Sequence, residues 1–187
     1  MGRSPLLLIG AIGLFLLALQ LETEAGAEGG KVPTLAELAG SYTYAGDRSK
    51  DESAIEAKSD TATAEMGRMV LKRARSRLAS STRIAESLVI TQKDGKVSFQ
   101  SDDYSVTVPK NGSSASVQTP LGESADASFD TKTATLQQTV AKTGGKKTNT
   151  FQFDESGHLV MQVRVTNPKL AGPVTFSVLY ARKATAH

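Results

Sequence analysis

From Ser87 to Tyr180 apolar side chains recur at every second position in short runs divided by turn residues, the pattern of strands that bury one face. Leu88 and Ile90 lead into Asp94-Gly95, and Val97 and Phe99 lead out of it. An Asp-Gly pair between alternating runs predicts a two-residue hairpin, because that turn needs positive φ angles. Tyr104, Val106 and Val108 then run to Pro109 and Asn111-Gly112, and Ala115 and Val117 follow. Ala125, Ala127 and Phe129 form the next run, succeeded by Ala134, Leu136, Gln138 and Val140, and by Phe151 and Phe153. The most regular runs come last: Leu159, Met161, Val163 and Val165, then Val174, Phe176, Val178 and Tyr180.

An earlier alternating piece, residues 41–45, predicts a first strand, preceded by a single helical turn at 34–38. Between the two β regions the period changes. Residues 47–82 contain no Pro, one Gly and many Ala, Glu, Lys, Arg, Met and Leu, a helix-favouring composition. Ser49 and Glu52 have capping-box spacing, and Ser59-Asp60 offers a second start, which predicts helices over about 50–58 and 61–79 or a single bent helix. Met66, Met69, Val70, Ala74 and Leu78 make one apolar stripe, with Arg68, Lys72 and Arg75 opposite.

One strand, a helical insert at 47–82 and nine further strands predict a mainly β domain over 39–183. The expected form is a ten-stranded antiparallel up-and-down barrel with a two-helix insert between strands 1 and 2, because closure removes exposed edges. A two-sheet sandwich is the alternative.

The N-terminus adds a destination. Arg3 precedes an apolar stretch at 6–21, then polar residues and Ala25-Gly26-Ala27, the layout of a secretory signal peptide cut after Ala27; an uncleaved anchor is the other reading. Residues 28–38 then form a lead-in and 184–187 a tail, and the protein is expected in the periplasm or outside the cell. With no Cys there is no disulfide framework, so the domain must rest on its core. Removing 1–27 leaves 21 basic and 17 acidic residues. That mild excess, without Trp and with Tyr and Phe at alternating core positions, argues against nucleic acid as a partner.

The order of one strand, a helical pair and nine meandering strands resembles the fatty-acid-binding proteins and, more broadly, the lipocalin-like calycin barrels. Ala39-Gly40-Ser41-Tyr42 is similar to the family's Gly-x-Trp/Tyr start, and the segment from Phe176 to Arg182 to its Arg-x-Tyr ending. The resemblance implies a barrel-end role for Tyr42 and a ligand hydroxyl on Tyr180. Val178 stands where the family has its carboxylate-binding arginine, so that clamp does not carry over. The Tyr-x-Tyr-Ala-Gly-Asp start and basic second helix also resemble uncharacterised exported bacterial proteins, which implies no activity.

Candidate chemistry is sparse. His158 in a turn and His187 at the terminus, without Cys, supply no metal, cofactor or catalytic set. Thr143-Gly144-Gly145-Lys146-Lys147 reads as a hairpin tip rather than a phosphate loop. Gln162 and Arg164 lie on the polar face of their strand, outward if the apolar face fills the barrel and ligand-facing if the cavity is polar-lined. From Met66 to Arg83 six bases occur with no acid. Such a cluster suits either the C-terminal end of a helix dipole or, through Arg68, Lys72 and Arg75, an anionic membrane or headgroup. These features lead to the expectation of an exported, non-enzymatic barrel for an apolar or amphipathic ligand, with ligand candidates Tyr180, Arg164, Gln162 and Tyr42. A structural or interaction protein of the cell envelope with a side-chain-filled barrel is the rival.

Overall fold

The alternation becomes burial: Leu88, Ile90, Val97, Phe99, Val106, Val108, Phe129 and Phe151 all turn inward. The computed structural model describes residues 31–102 and 104–184; the proposed signal peptide, residues 28–30 and His187 lie outside them. The strands are β1 (Gly40–Tyr44), β2 (Ser87–Lys93), β3 (Lys96–Ser101), β4 (Tyr104–Pro109) and β5 (Ala115–Gln118), followed by β6 (Ser124–Asp130), β7 (Thr135–Val140), β8 (Gly145–Phe153), β9 (Leu159–Thr166) and β10 (Val174–Arg182). They form one antiparallel sheet in the order β4-β3-β2-β1-β10-β9-β8-β7-β6-β5.

The register Tyr44↔Tyr180 joins first strand to last, so the sheet curls into a nearly closed barrel with β4 and β5 at its two ends. The architecture is mainly β and consistent with a calycin-like fold. Pro109 ends β4, and β5 has only four residues, two features that blunt the unpaired edges. Asp94 and Gly95 have φ angles of 50° and 72°, the positive values that their two-residue hairpin requires.

Among the described residues there are three helices: α1 (Leu35–Leu38), α2 (Arg48–Thr63) and α3 (Arg68–Thr82). The sequence-based boundaries inside the insert need correction. Asp47, rather than Ser49, caps α2, its carboxylate accepting from the Lys50 N–H at 3.2 Å. Ser59-Asp60 does not start a helix; α2 runs through it because Ala62 and Thr63 are buried, and the break falls at Gly67, the extended N-cap of α3. A capping box does occur, but at α1, between Thr34 and Glu37.

The barrel has two different ends. At the base α1 buries Leu35 and Leu38, and Tyr42 donates from its hydroxyl to the Leu38 carbonyl at 2.8 Å. Above it aromatic rings pack across the interior: the Phe99 ring lies 5.1 Å from that of Phe129 and 5.4 Å from that of Phe151. At the other end, the mouth, α2 and α3 cover the opening. Lys58 donates to the Thr175 carbonyl at 2.7 Å, and the Ala171 N–H donates to the Ala62 carbonyl at 3.0 Å, tying α2 to the start of β10 and the loop before it. Tyr44 donates to Asp51 at 2.7 Å beneath the Arg48 guanidinium, which fixes the start of the insert.

Candidate functional site

Val70, Ala74 and Leu78 recur every four residues along α3 and so form a single line facing the barrel. Between that line and the strand ends lies a cavity of about 320 Å3. Val140 from β7, Val165 from β9 and Leu170 from the following loop complete its apolar wall. Leu78 anchors the lid at 5% exposure. Met66 also borders the space, but Met69 is 95% exposed, so the expected stripe is corrected there: a residue one position from Val70 turns about 100° away from it.

The polar part of the wall includes Gln138 on β7, Lys147 on β8 and Tyr104 on β4. Gln138 on β7 is paired in register with Lys147 on β8, and Lys147 with Val165 on β9, which sets all three on the inner face. Gln138 donates from Nε2 to the Tyr104 hydroxyl at 2.8 Å. Burial pushes the Tyr104 hydroxyl above its usual range, so it keeps its proton at neutral pH. Lys147 is half-buried, and desolvation pulls its ammonium down to about 8. No hydrogen bond or ion pair joins that ammonium to another of the described residues. One step deeper on β8, outside the cavity wall, the buried Asn149 Oδ1 also lacks a partner among the described residues.

The rim is cationic. Arg73 and Arg77 from α3, Lys142 and Lys146 from the β7–β8 hairpin and Lys169 from the β9–β10 loop surround the opening. Glu123 is the one acid along the wall among the described residues, and Arg77 engages it at 3.0 Å, clasping α3 to the β5–β6 turn.

The residues singled out from sequence lie elsewhere. Tyr42 is buried at the base, where Arg182 donates to its hydroxyl at 2.9 Å. Tyr180 is fully buried with its hydroxyl donating to the Ala85 carbonyl at 3.3 Å, and burial pushes its titration up. Gln162 and Arg164 sit on the face of β9 opposite Val163 and Val165, which are buried. None of these four borders the cavity. Arg68, Lys72 and Arg75 are exposed on α3, and Arg75 pairs with Asp60 of α2 at 2.8 Å. Tyr104, Gln138 and Lys147 escaped the sequence reading as site residues. The signal for Lys147 was the period itself, since counting back by twos from Phe153 and Phe151 through Asn149 reaches it.

Among the described residues no helix is long and apolar enough to cross a membrane. No protein-family model matches the chain, and no curated protein is significantly similar to it.

Proposed function

We propose that the chain is a small-molecule-binding barrel, acting after export, whose site is the mouth cavity beneath α3 and whose ligand is apolar or amphipathic and lipid-like. The observation that carries this reading is a cavity of about 320 Å3 with a largely apolar wall above the packed rings of Phe99, Phe129 and Phe151. Small-molecule sites begin at about 300 Å3. A barrel serving only as a structural or interaction module gains stability from side chains that fill such a space, because empty volume forfeits dispersion contacts. The resemblance to fatty-acid-binding proteins and lipocalins supports the same class of ligand.

The test is a titration with N-phenyl-1-naphthylamine, a neutral apolar dye that brightens when it leaves water. The wild type should bind it saturably, and Ala74→Phe, which fills the space from the lid side, should abolish the signal while the fold persists. Absence of enhancement with the wild type would count against a ligand cavity.

A second reading concerns the outer face of α3 and commits to an anionic lipid surface. Met69 is 95% exposed there, next to Arg68, Lys72 and Arg73 on a helix without acids. Such a face would bring the lid to the source of a lipid-like ligand. Replacing Arg68, Lys72 and Arg75 with Gln should strongly weaken binding to anionic vesicles, since each base near such a surface contributes about 1 kcal/mol. The melting temperature should barely move, because exposed pairs such as Arg75–Asp60 are worth only about 0–1 kcal/mol. Wild-type protein that ignores anionic vesicles even at low salt would eliminate this reading.

A further inference from the structure

We propose that the cavity takes an amphipathic anion, a molecule with an apolar body and one carboxylate, sulfonate or phosphate-ester head, and that Lys147 on the inner wall of β8 holds the head. The inference rests on the cavity reading and adds the charge and position of the ligand's polar end.

The first support is an excess of donors with nothing to receive them. Lys147 brings an ammonium with no partner among the described residues to the inner face of a cavity whose other walls are largely apolar. Beside it the Tyr104 oxygen accepts from Gln138 at 2.8 Å, and no described acceptor takes the Tyr104 proton. Gln138 lies directly across the β7–β8 ladder from Lys147, so Lys147 and the Gln138–Tyr104 pair border the same cavity from its inner face. Buried donors are ordinarily satisfied, and an unpaired cation in an apolar wall is costly unless a counter-ion arrives. An anionic oxygen supplies both the missing acceptor and the missing charge, through the stronger, charge-assisted kind of hydrogen bond.

The second support is the field around the opening. The only acid on the wall among the described residues, Glu123, is engaged by Arg77 at 3.0 Å, whereas Arg73, Lys142, Lys146 and Lys169 have no side-chain partner among them. A concave site lined by one sign of charge concentrates ligands of the other sign. The apolar side of the same cavity, from Val70 and Leu78 on the lid to Val165 and Leu170 on the barrel, suits a hydrocarbon body rather than a free inorganic ion. Head and tail thus meet adjoining polar and apolar parts of one wall.

The experiment compares N-phenyl-1-naphthylamine with 1-anilinonaphthalene-8-sulfonate, which has the same aromatic body plus a sulfonate. The wild type should bind the sulfonate about tenfold more tightly or better, the ratio expected from one charge-assisted hydrogen bond. Lys147→Met, which keeps the length of the stem and removes the charge, should cut that preference to about twofold or less without weakening the neutral dye. Its melting temperature should be no lower than that of the wild type, which verifies the fold. Decanoate should displace the sulfonate at concentrations where inorganic phosphate leaves it bound.

Three results would overturn the inference: a preference that survives in Lys147→Met, no preference in the wild type, or equal displacement by inorganic phosphate. In each of them the neutral dye still binds and the cavity reading stands. If neither dye binds the wild type, the cavity reading itself fails, and this inference goes with it.

Discussion

Phe129→Ala should lower the unfolding free energy by about 3–5 kcal/mol, measured by urea denaturation with an unchanged slope. Phe129 is 1% exposed, and its ring is the partner of Phe99 from the far side of the barrel at 5.1 Å. Phe99 in turn stacks on Phe151 at 5.4 Å, so rings from β3, β6 and β8 meet in the middle of the interior. A chain without disulfides has no covalent brace to offset that loss. The neighbours of a closed sheet cannot move far inward to fill the space, which places the cost toward the upper part of the range for large-to-small substitutions. Because Phe129 does not border the mouth cavity, the folded variant should still bind the neutral dye as the wild type does. A cost below about 1 kcal/mol would mean that the three rings do not form the core of the barrel.

Leu78→Ala should cost about 2–4 kcal/mol and also weaken the neutral dye about tenfold. Leu78 is 5% exposed and is the one residue on α3 that is both a buried hydrophobe of the core and part of the cavity wall. Its removal therefore takes away lid-to-barrel packing and ligand contact together. The ion pairs of α3, Arg77 to Glu123 and Arg75 to Asp60, join side chains that reach solvent, at 25–52% exposure, and contribute little. Denaturation and dye titration on the same sample check both effects. An unaltered midpoint would show that α3 does not pack on the mouth, and unaltered dye affinity would show that the dye binds elsewhere.

The barrel was legible because its strands repeat one local rule. Asp94-Gly95, with both residues at positive φ, illustrates why: turn chemistry and alternation are short-range, and the register follows from them. The helical insert was legible only as helix. Ser59-Asp60 is a good start by local chemistry, yet burial of Ala62 and Thr63 keeps α2 going to Thr63, and the next helix starts only after Gly67, a decision made by tertiary packing. Tyr42 and Tyr180 were readable as inward residues, but the Leu38 and Ala85 carbonyls that occupy their hydroxyls come from segments folded back onto them. The cavity wall was least legible. Arg164 and Lys147 are both basic residues in alternating strands, and only the inward facing of Val163 and Val165 and the pairing of Lys147 with Gln138 and Val165 separate the outer from the inner one.

The central claim, that the space beneath α3 is the binding site, is tested most directly by following backbone amide resonances while the neutral dye is titrated. The account predicts progressive, saturable shifts at Val70, Leu78, Val140, Val165 and Leu170, which border the cavity, and constant signals at Leu35, Leu38 and Phe129 toward the base. Saturable shifts confined to the base or the outer barrel surface, with the amides around the mouth unmoved, would contradict it.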